Sequence, residues 1–167
     1  MKVIKLKWEV TPQQADKAKG FLYEAMTPFG GYYFSVVNFD DGKKGRVLRK
    51  HGSPYQHPSD INTFEDAAES CQKDFQEYIE RGFEYVEKHG GLSSFDWHIG
   101  IRMEQHLIQT PLGFLEIENK GNCFYPSSFV GGEPWGIDIP YFSSLDAAKN
   151  WCSSEFVKRL YSSIDKK

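Results

Sequence analysis

Two histidines six residues apart, His51 and His57, with Asp60 just beyond, are the first residues whose types could do chemistry together. Two imidazoles and a carboxylate can hold a transition metal, but structural zinc sites take four ligands, and this spacing matches no common zinc pattern. The stretch 51–60 (HGSPYQHPSD) reads as a loop on composition, and polar loops often expose histidines. No metal and no cofactor are expected. The cysteines, Cys71, Cys123 and Cys152, are odd in number and lack paired spacing, which argues against a secreted disulfide framework. Cys71 and Cys152 fall on apolar helical stripes, where a thiol packs rather than reacts; Cys123, beside Phe124 and Tyr125, is the cysteine to test for reactivity. There is no Gly-x-Ser-x-Gly elbow. The glycine-containing loops 42–45 (GKKG) and 131–136 (GGEPWG) lack P-loop spacing. With no nucleophile set beside a base, no catalytic residue is assigned and the chain reads as a non-enzyme.

Binding chemistry is better represented. Lys43, Lys44, Arg46, Arg49 and Lys50 form the basic cluster, near Tyr32, Tyr33 and Tyr55; charge with stacking aromatics suits single-stranded nucleic acid. A formal net charge of −3 works against general attraction to a phosphate backbone, and charged hairpin edges also serve to prevent strand pairing. Between 63 and 88, eight acids face Lys73, Arg81 and Lys88, a local net of −5. Glu77, Glu80 and Glu84 in that stretch could meet a basic groove on a protein partner. Tyr85, Trp135, Tyr141 and Trp151 fall off the apolar stripes or in loops, where such side chains anchor interfaces.

These residues need elements to position them. Ile4, Leu6, Trp8 and Val10 alternate with polar residues and predict a first strand. Thr11-Pro12 reads as a helix cap followed by proline at the first helical position, so a short helix is expected over 12–19. Strands follow over 21–26, 32–39 and 46–49, the last two joined by the hairpin chemistry of Asp40-Asp41-Gly42. Phe64, Ala67, Ala68, Cys71, Phe75, Tyr78, Ile79, Phe83 and Val86 recur at three- and four-residue steps, the stripe of an amphipathic helix, with Asn62 and Glu65 as cap pair. After a linker at 90–94 the order begins again: alternation at Phe95, Trp97, Ile99 and Ile101, a strand of Phe114, Leu115 and Ile117, and a second helix through Leu145, Ala148, Cys152, Phe156, Leu160 and Ile164, capped by Ser143 and Asp146.

At a shift of 81 the helices align without a gap, pairing Ala67 with Ala148, Cys71 with Cys152, Phe75 with Phe156 and Ile79 with Leu160. Asn38 meets Asn119 at the same shift, and Thr27-Pro28-Phe29-Gly30 meets Thr110-Pro111-Leu112-Gly113 at 83. Shared Cys and Phe positions behind a repeated turn imply duplication. The expected fold is α+β: two tandem repeats, 1–90 (with the extra helix near 12–19) and 91–167, each an antiparallel sheet of about three strands with one C-terminal amphipathic helix packed on it.

Trp8, then Gly30, Gly31 and Tyr32, then Thr63-Phe64-Glu65-Asp66-Ala67, echoed by Trp97, Gly113 and 144–148 (SLDAA), resemble short uncharacterised proteins encoded by phages and prophages. The resemblance implies a setting of small proteins that bind and block a host factor, including anti-CRISPR-like inhibitors of defence nucleases, and it transfers no site residue. The functional expectation is a protein-binding module, an inhibitor of a host nucleic-acid-handling or defence complex. The alternatives are a single-stranded nucleic-acid binder using the hairpin 43–50 and a toxin-neutralising immunity-type protein. With no signal peptide and no membrane-length apolar run, the cytosol is the expected compartment. Partner identity and oligomeric state are not read from the sequence.

Overall fold

Residues 9–15 and 18–27 pair as a β-hairpin. In the computed structural model, which describes residues 1–15, 17–50, 56, 60–90, 97–100, 105–128 and 138–165, β1 (Glu9–Ala15) pairs antiparallel with β2 (Ala18–Thr27), from Glu9 opposite Glu24 to Ala15 opposite Ala18. The helix expected over 12–19 is therefore corrected to two strands. Pro12 sits on the outer strand of its sheet, where a missing N–H is tolerated, so the residue that suggested a helix start is an edge-strand proline. The strand expected over 4–10 is corrected as well, since regular pairing begins only at Glu9. Residues 3–8 instead form a strap bonded to the first long helix.

β3 (Gly30–Phe39) and β4 (Lys44–Arg49) complete a four-stranded antiparallel meander in the order β1-β2-β3-β4, followed by α1 (Phe64–Lys88). The second meander runs β5 (His98–Ile99), β6 (Gln105–Thr110), β7 (Gly113–Asn119) and β8 (Phe124–Ser128), followed by α2 (Leu145–Ser162). The fold is α+β with two sheet-plus-helix units, each sheet having four strands rather than about three. In the first sheet β1 takes most of the place of the expected helix; in the second, β5 lies within the alternation at 95–101, while β6 and β8 fall where no strand was expected.

The duplication extends into local geometry. Thr27 Oγ1 donates to the Gly30 carbonyl at 2.8 Å and accepts from the Phe29 N–H at 3.1 Å. Thr110 Oγ1 does the same with Gly113 and Leu112 at 2.7 and 3.1 Å. Gly30 and Gly113 take φ of 121° and 124°, a conformation that penalises any residue with a Cβ. In both copies the last strand is joined by a bridge from the segment before the helix, Leu48 with Gln56 and Phe124 with Phe142. The helix cores coincide at the shift of 81: Ala67, Cys71, Phe75 and Ile79 are fully buried, and so are Ala148, Cys152, Phe156 and Leu160.

The helix caps lie one residue later than expected. Thr63 Oγ1 accepts from Asp66 N at 3.1 Å, while Asp66 returns its carboxylate to the N–H groups of Thr63 and Asn62 at 3.0 and 3.2 Å. This is a capping box at Thr63 and Asp66, replacing Asn62 and Glu65. Ser144, not Ser143, caps α2 by accepting from Ala147 N at 3.2 Å. Thr63 and Ser144 are themselves 81 apart, so the corrected caps obey the repeat.

By compactness the chain divides inside α1, into Val3–Gln76 and a second unit of Met1–Lys2 with Glu77–Lys167. The repeat boundary read from sequence, 90/91, marks where the pattern restarts, whereas the compact division falls between Gln76 and Glu77. α2 has 18 residues and α1 has 25. Its first half lies on the first sheet: Phe64 stacks on Tyr23 at 4.3 Å, and Phe75 meets the buried Tyr32 ring at 6.2 Å. Its second half packs in the other unit, where Tyr78 donates to the Leu112 carbonyl at 3.0 Å and Phe83 meets Tyr161 at 5.3 Å. A Cβ built on Gly82 would come within 2.5 Å of Leu160 and 2.9 Å of Leu112, so glycine lets those side chains press against the helix.

Candidate protein-binding surface

A strand shows alternate residues to opposite faces, and this splits the basic cluster of the first sheet. Arg46, Leu48 and Lys50 face α1. Arg46 donates to the Ile61 carbonyl at 3.2 Å and to Asn62 Oδ1, tying β4 to the start of the helix. Lys50 Nζ lies 3.7 Å from Asp74 Oδ1, and the other Asp74 oxygen accepts from the Tyr32 hydroxyl at 3.0 Å. At the hairpin tip Lys43 pairs with Asp41 at 2.8 Å, and Lys44 is exposed. Arg49 turns to the opposite face, its guanidinium 5.7 Å from the Tyr33 ring centre. Four of the five basic residues thus make contacts within the unit, and they do not form one basic surface.

The opposite face of the first sheet carries what the sequence pattern did not single out. Leu22 and Met26 of β2, Tyr33, Val37 and Phe39 of β3, and Val47 of β4 share it through the pairs Leu22–Ser35, Met26–Gly31, Ser35–Val47 and Val37–Gly45. Met26 is 67% exposed and Phe39 45%; the other four are half-buried. The rings lie flat against glycines: a Cβ at Gly31 would meet the far end of Tyr33 at 2.6–2.8 Å, and one at Gly45 would meet Phe39 at 3.1 Å. The Tyr33 hydroxyl points to Met26 Sδ at 3.8 Å. Met26, Tyr33 and Arg49 therefore form a connected strip of sulfur, ring and guanidinium, flanked by Leu22, Val37, Phe39 and Val47. The same face also carries Glu24 opposite Tyr33, Ser35 opposite Leu22, and the polar residues Glu9, Thr11 and Gln13 of β1. The signal for it was present in 32–39, where aromatic or aliphatic residues fall on both phases of the alternation; a strand with one wet face shows polar residues on one phase.

The residues nominated for partner binding are distributed differently. Glu77, Glu80 and Glu84 fall at steps of three and four and share one stripe on the second half of α1, with Tyr85 beside them, its ring 4.3 Å from His89. Arg81 sits among these acids, donating to the Glu77 carbonyl at 3.3 Å. Tyr141 is 67% exposed and stacks on Tyr125 of β8 at 4.8 Å, while Trp151 is half-buried against Phe142 at 5.8 Å. Trp135, the loop 131–136, Tyr55, and the histidines His51 and His57 lie outside the described residues; Asp60 is exposed. Among the described residues no group of three or more His, Cys, Asp or Glu is arranged to hold a metal ion.

Electrostatics adds little chemistry. Burial pushes the Cys71 thiol up to about 12 and raises Cys152 as well, so both are protonated packing groups. Burial, with a smaller contribution from Lys149, lowers His106, which lies on the helix-facing side of β6 near Phe124. Lys120 is raised by its hydrogen bond to Glu118 at the tip of the β7–β8 hairpin. No helix among the described residues is long and apolar enough to cross a membrane.

The arrangement defines an α+β protein of two sheet-plus-helix units, the first of which leaves an aromatic and aliphatic sheet face open. No family model, no curated protein and no solved structure matches the chain.

Proposed function

We propose that the chain is a non-enzymatic protein-binding module and that the open face of its first sheet is the contact surface. The observation that carries this reading is the exposure of Met26 and Phe39 on a face also holding Leu22, Tyr33, Val37 and Val47. Contiguous exposed apolar surface on a soluble fold marks interaction sites, and aromatic, Met and Arg side chains are the types enriched at interface centres. The in-fold contacts of Lys43, Arg46 and Lys50 make the hairpin 43–50 a weaker candidate for nucleic acid. With the resemblance to phage-encoded proteins, the finer reading is an inhibitor that covers a surface of a host nucleic-acid-handling or defence complex. A toxin-neutralising role would use the same physics.

The test is crosslinked recovery of partners from host lysate with the wild type, a Met26→Glu/Phe39→Glu variant and a Lys43→Ala/Lys44→Ala variant. The expected result is one partner recovered by the wild type and the lysine variant and lost with the sheet variant, whose circular dichroism stays native. Recovery unaffected by Met26→Glu/Phe39→Glu contradicts the assignment of the surface. A saturable anisotropy signal with short single-stranded RNA or DNA at low salt, abolished by the lysine variant, would move the function to nucleic acid.

A further inference from the structure

The strap 3–8 and the first half of α1 enclose a groove of about 860 Å³ within the first unit. The strap runs antiparallel to the helix. The Val3 N–H donates to Gln76 Oε1 at 3.3 Å, the Leu6 N–H donates to Gln72 Oε1 at 2.8 Å, Gln72 Nε2 donates to the Ile4 carbonyl at 3.2 Å, and Trp8 packs edge-on against Phe64 at 5.5 Å. Gln72 thus bonds the backbone on both sides of Lys5, as a neighbouring strand would, and fixes Lys5 at the Gln72–Lys73 end of the groove. Leu6, Trp8, Phe64 and Ala68 supply its apolar lining.

The charges on this groove are polarised along its length. Along α1 the order is Glu65, Ala68, Glu69, Gln72, Lys73, with Lys5 held beside Gln72, so the acids come first and the bases follow. Eight residues of helix separate Glu65 from Lys73, roughly 12 Å of rise. A surface that is apolar in the middle, acidic at one end and basic at the other is complementary to itself under a two-fold rotation through its centre, because that rotation lays each acidic end on the other copy's basic end. An isologous contact demands this property, since residue i meets j while j meets i. A basic partner would be repelled from one end and an acidic partner from the other.

We infer that two copies of this chain pair through the groove, the first halves of their α1 helices antiparallel, with Glu65 and Glu69 of each copy against Lys5 and Lys73 of the other. This contact is separate from the open sheet face and does not depend on the function assigned to that face.

Charge reversal in mixed pairs tests it. Sedimentation velocity over a dilution series is expected to give the wild type twice the 19.2 kDa chain mass. Glu65→Lys/Glu69→Lys and Lys5→Glu/Lys73→Glu should each sediment as monomers alone, because each then presents one sign at both ends. Their equimolar mixture should regain the dimer, because every end again meets its opposite. Ala68→Glu, which blocks the apolar centre without altering the polarity of the ends, should be monomeric alone and in any mixture. Wild type that is monomeric throughout the series overturns the inference. So does an Ala68→Glu dimer as tight as wild type, or a mixture of two folded reversed variants that stays monomeric. Circular dichroism checks the fold of each variant, and the Ala68→Glu comparison still decides the matter should a reversed variant not fold.

Discussion

Where β3 of the first copy buries Tyr32, β7 of the second buries Leu115, each on the second residue after the glycine of the repeated turn. The Tyr32 hydroxyl reaches Asp74 on α1, and Lys50 of the same unit approaches that carboxylate. The residue 81 beyond Asp74 is Glu155, and it bonds within its own helix to Lys158 and Arg159, both at 3.1 Å. One framework therefore accepts a polar tie from sheet to helix in one copy and plain aliphatic packing in the other. What the copies share is volume and position: an aromatic or leucine on the strand, then Ala, Cys, Phe and an aliphatic residue down the helix. Volume conservation preserves a fold, while individual hydrogen bonds add modest net stability.

The largest expected effects break the shared part. Phe75→Ala and Phe156→Ala each remove a fully buried ring and should each cost about 3–5 kcal/mol in chemical denaturation. Hydrogen exchange mapped by peptide should then rise first around 18–39 for Phe75→Ala and around 105–119 for Phe156→Ala. Gly20→Ala comes next and acts only in the first copy. Its Cβ would lie 2.0 Å from the Val36 carbonyl oxygen, a backbone atom held in the β2–β3 pairing, and the expected loss is about 3 kcal/mol.

Smaller changes sharpen the difference. Tyr32→Phe gives the first copy the all-apolar character of the second and should cost about 1 kcal/mol, whereas Leu115→Met in the second should cost less than about 1.5 kcal/mol by a different route, repacking alone. The smallest effect is a matter of pH. The Thr63 hydroxyl, then the N–H groups of Thr63 and Asn62, hold Asp66 below its ordinary carboxylate pKa. A depressed folded-state pKa gives stability that is present above the unfolded value, about 3.9, and lost as pH falls through the folded one. Acid should therefore loosen the start of α1, seen as faster amide exchange at Thr63 and Asn62, while the start of α2, capped by the neutral Ser144 hydroxyl, keeps its protection.

The helices were legible because an apolar stripe recurring at three- and four-residue steps suits a helix and little else, and Cys71 and Cys152 fixed their mutual register. Their caps slipped by one because Asn62 and Thr63, like Ser143 and Ser144, offer two adjacent capping residues, and only geometry selects between them. Thr11-Pro12 misled for a tertiary reason: proline suits a helix start and an outer strand equally, and pairing with β2 decided it. Ile4, Leu6 and Trp8 alternate like a strand, yet the backbone of Ile4 and Leu6 bonds to the Gln72 side chain of α1, and no local pattern announces that. The open sheet face escaped because Leu22, Val37 and Val47 look like core in a sequence; which face α1 covers is settled by Tyr23, Tyr32 and Phe34, all on the other side.

The central claim is that one β-meander is used twice, and cross-strand proton distances in solution test it most directly. Nuclear Overhauser contacts should place Ala25 opposite Tyr32 and Ile108 opposite Leu115, each pair two residues outside a Thr-Pro-x-Gly turn of the same shape. Finding both sets supports the duplicated unit. A helical pattern of sequential contacts through 105–119, or strand pairing there in a shifted register, would contradict it.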